Sequence, residues 1–181
     1  MISGSTSTKH LMLLSMLSAC GLIFFVFESF LPLLPWLRPG LGNIATVLAL
    51  MMFGFGDAVK VTLLRIVLGA LVLGRLFTPV FLFALSGGLA SVLIMAFVMR
   101  YTKQLFGPVG ISVLGAVAHN MVQLFVAYLL FVKSIEIFIF TPVFLGVGVV
   151  TGAVVGFVAY LVFEKTINHL GFDPVWHGKA K

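Results

Sequence analysis

What this chain most lacks is charge. Of its 181 residues only 9% are Asp, Glu, Lys or Arg, where an ordinary soluble domain carries about 25%. That scarcity excludes a water-soluble fold, because an apolar core needs polar surface to cover it. Acidic residues are rarest, with only two aspartates, Asp57 and Asp173. Two isolated aspartates cannot form the paired Asp-rich motifs that hold magnesium diphosphate. A single cysteine, Cys20, excludes an intrachain disulfide and a Cys-rich metal centre. The four histidines, His10, His119, His169 and His177, lack the spacings of a zinc hydrolase, so no metal site is expected. Neither a Walker A run nor a Gly-x-Ser-x-Gly nucleophile turn occurs. No residue is therefore assigned a catalytic role.

Apolar sequence is what the chain has in excess, at 61% of all residues. It falls into six stretches, residues 11–31, 41–55, 58–73, 78–99, 109–132 and 137–163. A helical membrane span needs about 20 residues at about 1.5 Å each. The first, fourth, fifth and sixth stretches are long enough. The second and third are short, so they are expected to tilt, embed partly or extend into their flanks. Gly54-Phe55-Gly56-Asp57 reads as a turn that keeps these two apart. Within the first stretch, Leu17-Ser18-Ala19-Cys20 resembles a lipoprotein cleavage box. The chain stays apolar through Phe27, however, so an uncleaved first helix is expected.

The formal charge is +6, from 11 basic and 5 acidic residues. These basic residues are scattered, without a polybasic cluster, which argues against a nucleic-acid partner. Six spans would gather Lys9, Lys60, Arg100, Lys103, Lys165, Lys179 and Lys181 on one side and Arg38, Arg75 and Lys133 on the other. Seven against three places both termini in the cytoplasm by the positive-inside rule. The expected fold is an all-α integral membrane protein with six transmembrane helices. Residues 1–10 form a flexible tail, 11–163 the membrane domain and 164–181 a cytoplasmic tail, with Trp176 and His177 as an interfacial anchor.

Polar side chains inside apolar spans are costly, which makes each a functional candidate. Glu28 lies near the outer end of the first helix, Asn43 opens the second and Arg65 lies well inside the third. Glu28 and Arg65 suit either an ion pair between helices or contact with a ligand. In the fifth stretch His119 and Gln123 fall at i, i+4 and Asn120 and Gln123 at i, i+3, giving one polar stripe. That stripe either lines a cavity or hydrogen-bonds neighbouring helices. Arg38, in the proline-rich loop after the first stretch, is a solvated charge or a ligand contact. Arg75 reads as a loop charge. Ser86-Gly87-Gly88 permits close approach of a helix or ligand. Ser15 and Ala19, at i, i+4, form a small-residue face for a partner membrane subunit or for packing inside the bundle.

Several of these runs carry a resemblance: Arg38-Pro-Gly-Leu-Gly-Asn43, Leu63-Leu-Arg65 with Leu68-Gly69, Ser86-Gly-Gly88, and Ser112-Val-Leu-Gly-Ala-Val-Ala-His-Asn120 with Gln123. Across residues 11 to 163 the chain resembles the Gx transporter family, also labelled heptaprenyl diphosphate synthase component I. Its outer loop departs from the family pattern at Pro39-Gly40. That family is similar to the substrate-binding S-components of energy-coupling factor transporters. The resemblance implies an S-component-like bundle in a bacterial inner membrane, surrounded by lipid. It implies a lid from Pro32 to Gly42, with Glu28, Arg38, Asn43, Arg65, His119, Asn120 and Gln123 as the substrate-binding set. Its ligand would be a small-molecule solute or a prenyl- or vitamin-like compound. Partners would be a coupling transmembrane subunit and ATPases, meeting the Ser15–Ala19 face, and no cofactor is implied. Two other functions fit the same residues: an accessory component of prenyl diphosphate or isoprenoid quinone synthesis, and an accessory subunit of a quinone- or flavin-linked redox system.

Overall fold

The computed structural model describes residues 3–30, 40–102, 105–170 and 174–176. Among the described residues there are six α-helices and no strand. They are α1 (Ser3–Glu28), α2 (Asn43–Phe53), α3 (Phe55–Val72), α4 (Pro79–Thr102), α5 (Pro108–Ala127) and α6 (Thr141–Leu170). A π-helical turn, Tyr128–Val132, and a 3-10 turn, Ile135–Phe140, join α5 to α6.

Local chemistry explains the boundaries. Gly54 adopts φ of 94°, a left-handed conformation that glycine alone enters without strain. One residue therefore breaks the chain between α2 and α3. Gly56 and Asp57 of the expected turn instead belong to the first turn of α3, where the carboxylate complements the positive end of the helix dipole. Pro108 opens α5, where a missing N–H costs nothing. α1 begins at Ser3, ahead of the apolar run, and so extends into the segment expected as a tail.

Length and composition then sort the helices. Thr8–Glu28, Pro79–Thr102, Pro108–Val132 and Ile135–Asn168 are long and apolar enough to cross a membrane. The chain is thus a multi-pass membrane protein. α2 differs in kind: its 11 residues reach about 16 Å, roughly half a bilayer core. Every residue from Asn43 to Met52 is buried, as expected for a helix apolar all round. It lies against α1, α3, α4 and α6. Thr46 and Thr62 share a hydrogen bond of 2.9 Å between α2 and α3 in this core.

Bilayer tails offer no hydrophobic drive for helix pairing, so close backbone approach has to supply it. α5 and α6 meet this way. A Cβ on Gly152 would stand 2.6 Å from the Cα of Val113, on Gly156 2.7 Å from that of Val109, and on Gly148 3.1 Å from that of Val117. Glycines four apart on one helix thus seat residues four apart on the next.

At one end of the bundle, segments around His10 and around Val175 and Trp176 are tied down. His10 Nε2 and Lys60 Nζ each lie 2.8 Å from the Asp57 carboxylate, linking α1 to α3. The N–H groups of Val175 and Trp176 donate to the carbonyls of Met52 and Met51. Trp176 packs against the core around α2, where the sequence suggested an interfacial anchor; His177 lies outside the described residues.

Candidate functional site

Arg65 lies well inside the third apolar stretch, and it is 3% exposed. Helical spacing puts it on the buried stripe of α3 with Ala58, Val61, Thr62, Ile66 and Gly69. Three glycines from three elements make room for its long side chain. Gly42 lies against the Nη1 end, Cβ atoms on Gly21 and Gly88 would meet Cδ at 3.4 Å and Nη2 at 4.0 Å. The Nη2 group donates to Asn43 Oδ1 at the start of α2. Next to it, Glu28 at the end of α1 accepts the N–H of Leu41. That bond ties the turn preceding α2 to the end of α1.

His119 completes the group from α5. Its ring lies on Gly87 of α4, where a Cβ would come within 3.0 Å of three ring atoms. Phe25, Glu28, Asn43, Arg65 and His119 together border a cavity of about 10 Å³, space for about one water molecule. Four helices therefore bring four polar side chains to one buried point. Chemically the point can exchange hydrogen bonds with a polar group about the size of a water molecule.

Not all of the expected set converges there. Asn120 Nδ2 donates to the carbonyl of Phe144 on α6 at 2.9 Å. Gln123 Nε2 donates to the carbonyl of Phe83 on α4 at 3.3 Å. Both residues are buried but neither borders the small cavity, so in this structure they join helices. The α5 stripe splits because its residues, though within one turn, face different neighbours. Arg38 and most of the expected lid lie outside the described residues. Arg75 is exposed in the turn after α3. Ser15 and Ala19 are exposed on α1, while Ser18 turns its hydroxyl onto the Leu14 carbonyl and Gly21 packs against Ala45. Ser86-Gly87-Gly88 serves close helix packing, against His119 and against Ile66 and Thr62.

Two larger apolar cavities open on the flanks. One, of about 1080 Å³, lies between the start of α4, the end of α5 and the two short turns, with Ser134 and Glu136 at its edge. The other, of about 690 Å³, runs between α1 and α6 over the face of α2. Neither was legible in the sequence, since each arises where two helices diverge. No group of three or more potential metal ligands occurs among the described residues.

Among known proteins, no curated protein and no solved structure matches the chain. A family model, that of heptaprenyl diphosphate synthase component I, matches residues 17–162. That span covers α2 to α5 entirely, the C-terminal part of α1 and most of α6, including the buried polar group. The chain belongs to the heptaprenyl diphosphate synthase component I family.

Proposed function

We propose that the chain is a membrane-embedded binding subunit, with no catalytic machinery of its own, that works with separate partner proteins. Its six helices would all lie in a bacterial inner membrane with both termini in the cytoplasm, as the distribution of basic residues favours. The observation that carries this reading is the convergence of Glu28, Asn43, Arg65 and His119 from four helices on one buried point. An interior membrane arginine held by an amide and bordered by a carboxylate and an imidazole costs too much to serve only as filler. Its ligand on this reading is a small polar solute, captured in the manner of an S-component and passed on with a coupling subunit and ATPases.

A second reading takes the family name at its word: an accessory membrane component of heptaprenyl diphosphate synthesis, assembled with other synthase components. The long apolar groove between α1 and α6 favours it, because a prenyl chain needs such a surface and a polar solute does not.

Mass spectrometry of the purified protein separates the two. A co-purifying polar solute, lost in Arg65→Met, supports capture at the polar group. An empty protein that also binds neither a coupling subunit nor an ATPase sinks the first reading.

A further inference from the structure

The cavity of about 1080 Å³ beside α4 and α5 is set apart by what stands at its mouth. Its volume compares with the upper end of the range for ligand sites, about 300–1,000 Å³. Pro79 and Phe83 of α4, Leu124 and Ala127 of α5 and the two turns that follow supply its walls. Two aromatic pairs frame it. Phe83 and Phe131 have ring centroids 5.4 Å apart and join α4 to the π-helical turn; Tyr128 and Phe138, 5.3 Å apart, join that turn to the 3-10 turn. Ile135, Ile139 and Phe140 line the cavity yet are exposed, so it opens on the side that acyl chains cover. A π-helical turn is rare and often marks a functional site.

Lys133 and Glu136 are the only charged residues between positions 104 and 163. They stand where two spans meet, Pro108–Val132 and Ile135–Asn168, at the level of the lipid headgroups. Backbone geometry fixes both. Lys133 takes φ of 50° and its N–H donates to the Tyr128 carbonyl at 3.0 Å, while the Ser134 hydroxyl accepts the N–H of Glu136 at 3.4 Å. Glu136 lines the cavity, and Lys133 sits between Val132 and Ser134, which line it too. Neither charge enters an ion pair with the other or with any described residue.

We propose that this cavity seats a zwitterionic phospholipid, phosphatidylethanolamine, with its acyl chains against α4 and α5, its phosphate at Lys133 and its ammonium at Glu136. The inference goes beyond both readings of function and depends on neither. Charge complementarity selects the occupant. An anionic headgroup without an ammonium would meet the Glu136 carboxylate, and a purely cationic amphiphile would meet Lys133. A trimethylammonium headgroup offers Glu136 no N–H for a charge-assisted hydrogen bond. Three residues of chain keep the two Cα atoms within about 11 Å. Two long side chains cover the remainder around a phosphate and an ammonium linked by two carbons.

Native mass spectrometry of the full chain in detergent reads the selectivity, by titration with phosphatidylethanolamine, phosphatidylglycerol and phosphatidylcholine of identical acyl chains. Phosphatidylethanolamine is expected to bind about fivefold more tightly than either of the others. Glu136→Gln, at an exposed side chain, should abolish that preference. Lys133→Gln should weaken all three lipids, since they share the phosphate. Arg75→Gln, at an exposed charge outside the cavity, should change nothing. Val80→Trp, which places an indole among the lining residues, should release the lipid, with thermal unfolding as the check on its fold; if it does not fold, Glu136→Gln decides. Equal binding of the three lipids by the unaltered chain overturns the proposal. So does a preference untouched by Glu136→Gln, binding untouched by Lys133→Gln or by folded Val80→Trp, or an equal loss in Arg75→Gln.

Discussion

Arg65, midway along α3, donates from Nη2 to Oδ1 of Asn43, the first residue of α2. A helix too short to span the bilayer is thereby anchored at its start by the most costly side chain in the membrane interior. Such an amide acceptor stabilises a buried guanidinium by about 1.5–3 kcal/mol. Asn43→Ala should lower stability by that amount in denaturant titrations in detergent. Asn43→Asp, which keeps an acceptor, should lose less. Equal stability of all three proteins would show that the hydrogen bond contributes nothing.

Helix pairing between α5 and α6 depends on a different element, the absence of side chains. Gly152 approaches Val113 so closely that a methyl group cannot enter without moving backbone. Gly152→Ala should therefore destabilise by about 1–3 kcal/mol, despite the better helix propensity of alanine. Gly146, on the same helix, has nothing within 4 Å of an added Cβ. Gly146→Ala should be neutral or stabilising by up to about 1 kcal/mol. Thermal unfolding of the two variants side by side gives the comparison, and a loss of similar size in both would refute the packing account.

How much of this was legible in the sequence varies with the physics involved. Apolar runs marked the six α-helices of the described residues, four of which are long and apolar enough to cross a membrane. Gly54 was recognisable as a break, but its position within the four-residue turn depended on which glycine took positive φ. Arg65, Asn43, Glu28 and His119 stood out as costly residues, and the structure brings them together. Asn120 and Gln123 carried the same signal yet bond across to α6 and α4, since a polar residue in a span records its cost and not its partner. The Gly148, Gly152, Gly156 spacing was visible in the chain, and only the facing backbone of α5 gives it meaning. The groove between α1 and α6 had no signature, because divergence of two helices is a property of neither alone.

Asp57 gives the molecule a measurable response to acid. Partial burial pushes its carboxyl upward, but hydrogen bonds and charge from Lys60 and His10 together outweigh this and hold it below its ordinary 3.8. A depressed carboxylate stabilises the fold above its unfolded value and loses that contribution as pH falls through the lower, folded value. The tie between α1 and α3 is thus intact at neutral pH and should release only below about pH 3.8. Carboxyl-carbon NMR of Asp57 should show the depressed midpoint, and Lys60→Gln should move it upward. A midpoint at or above 3.8 in the unaltered chain would refute the arrangement.

The end of α2 offers the last test. Gly54 N–H serves the carbonyls of Ala49 and Leu50, while Trp176 and Val175 serve those of Met51 and Met52. Residues more than a hundred positions away therefore complete the cap of a short buried helix, whose final carbonyls would otherwise lack partners. Ending the chain at residue 173 should remove both bonds and the packing of Trp176 on the core. Each lost bond to a buried carbonyl costs about 1–3 kcal/mol. Hydrogen exchange should accordingly accelerate along the C-terminal turns of α2 and the first turn of α3, leaving α5 and α6 unchanged. Trp176→Ala separates the two contributions, since it keeps the backbone bonds and deletes the ring. If the shortened chain exchanges at the same rate as the full one, the cap has no energetic weight and α2 is held by its side chains alone.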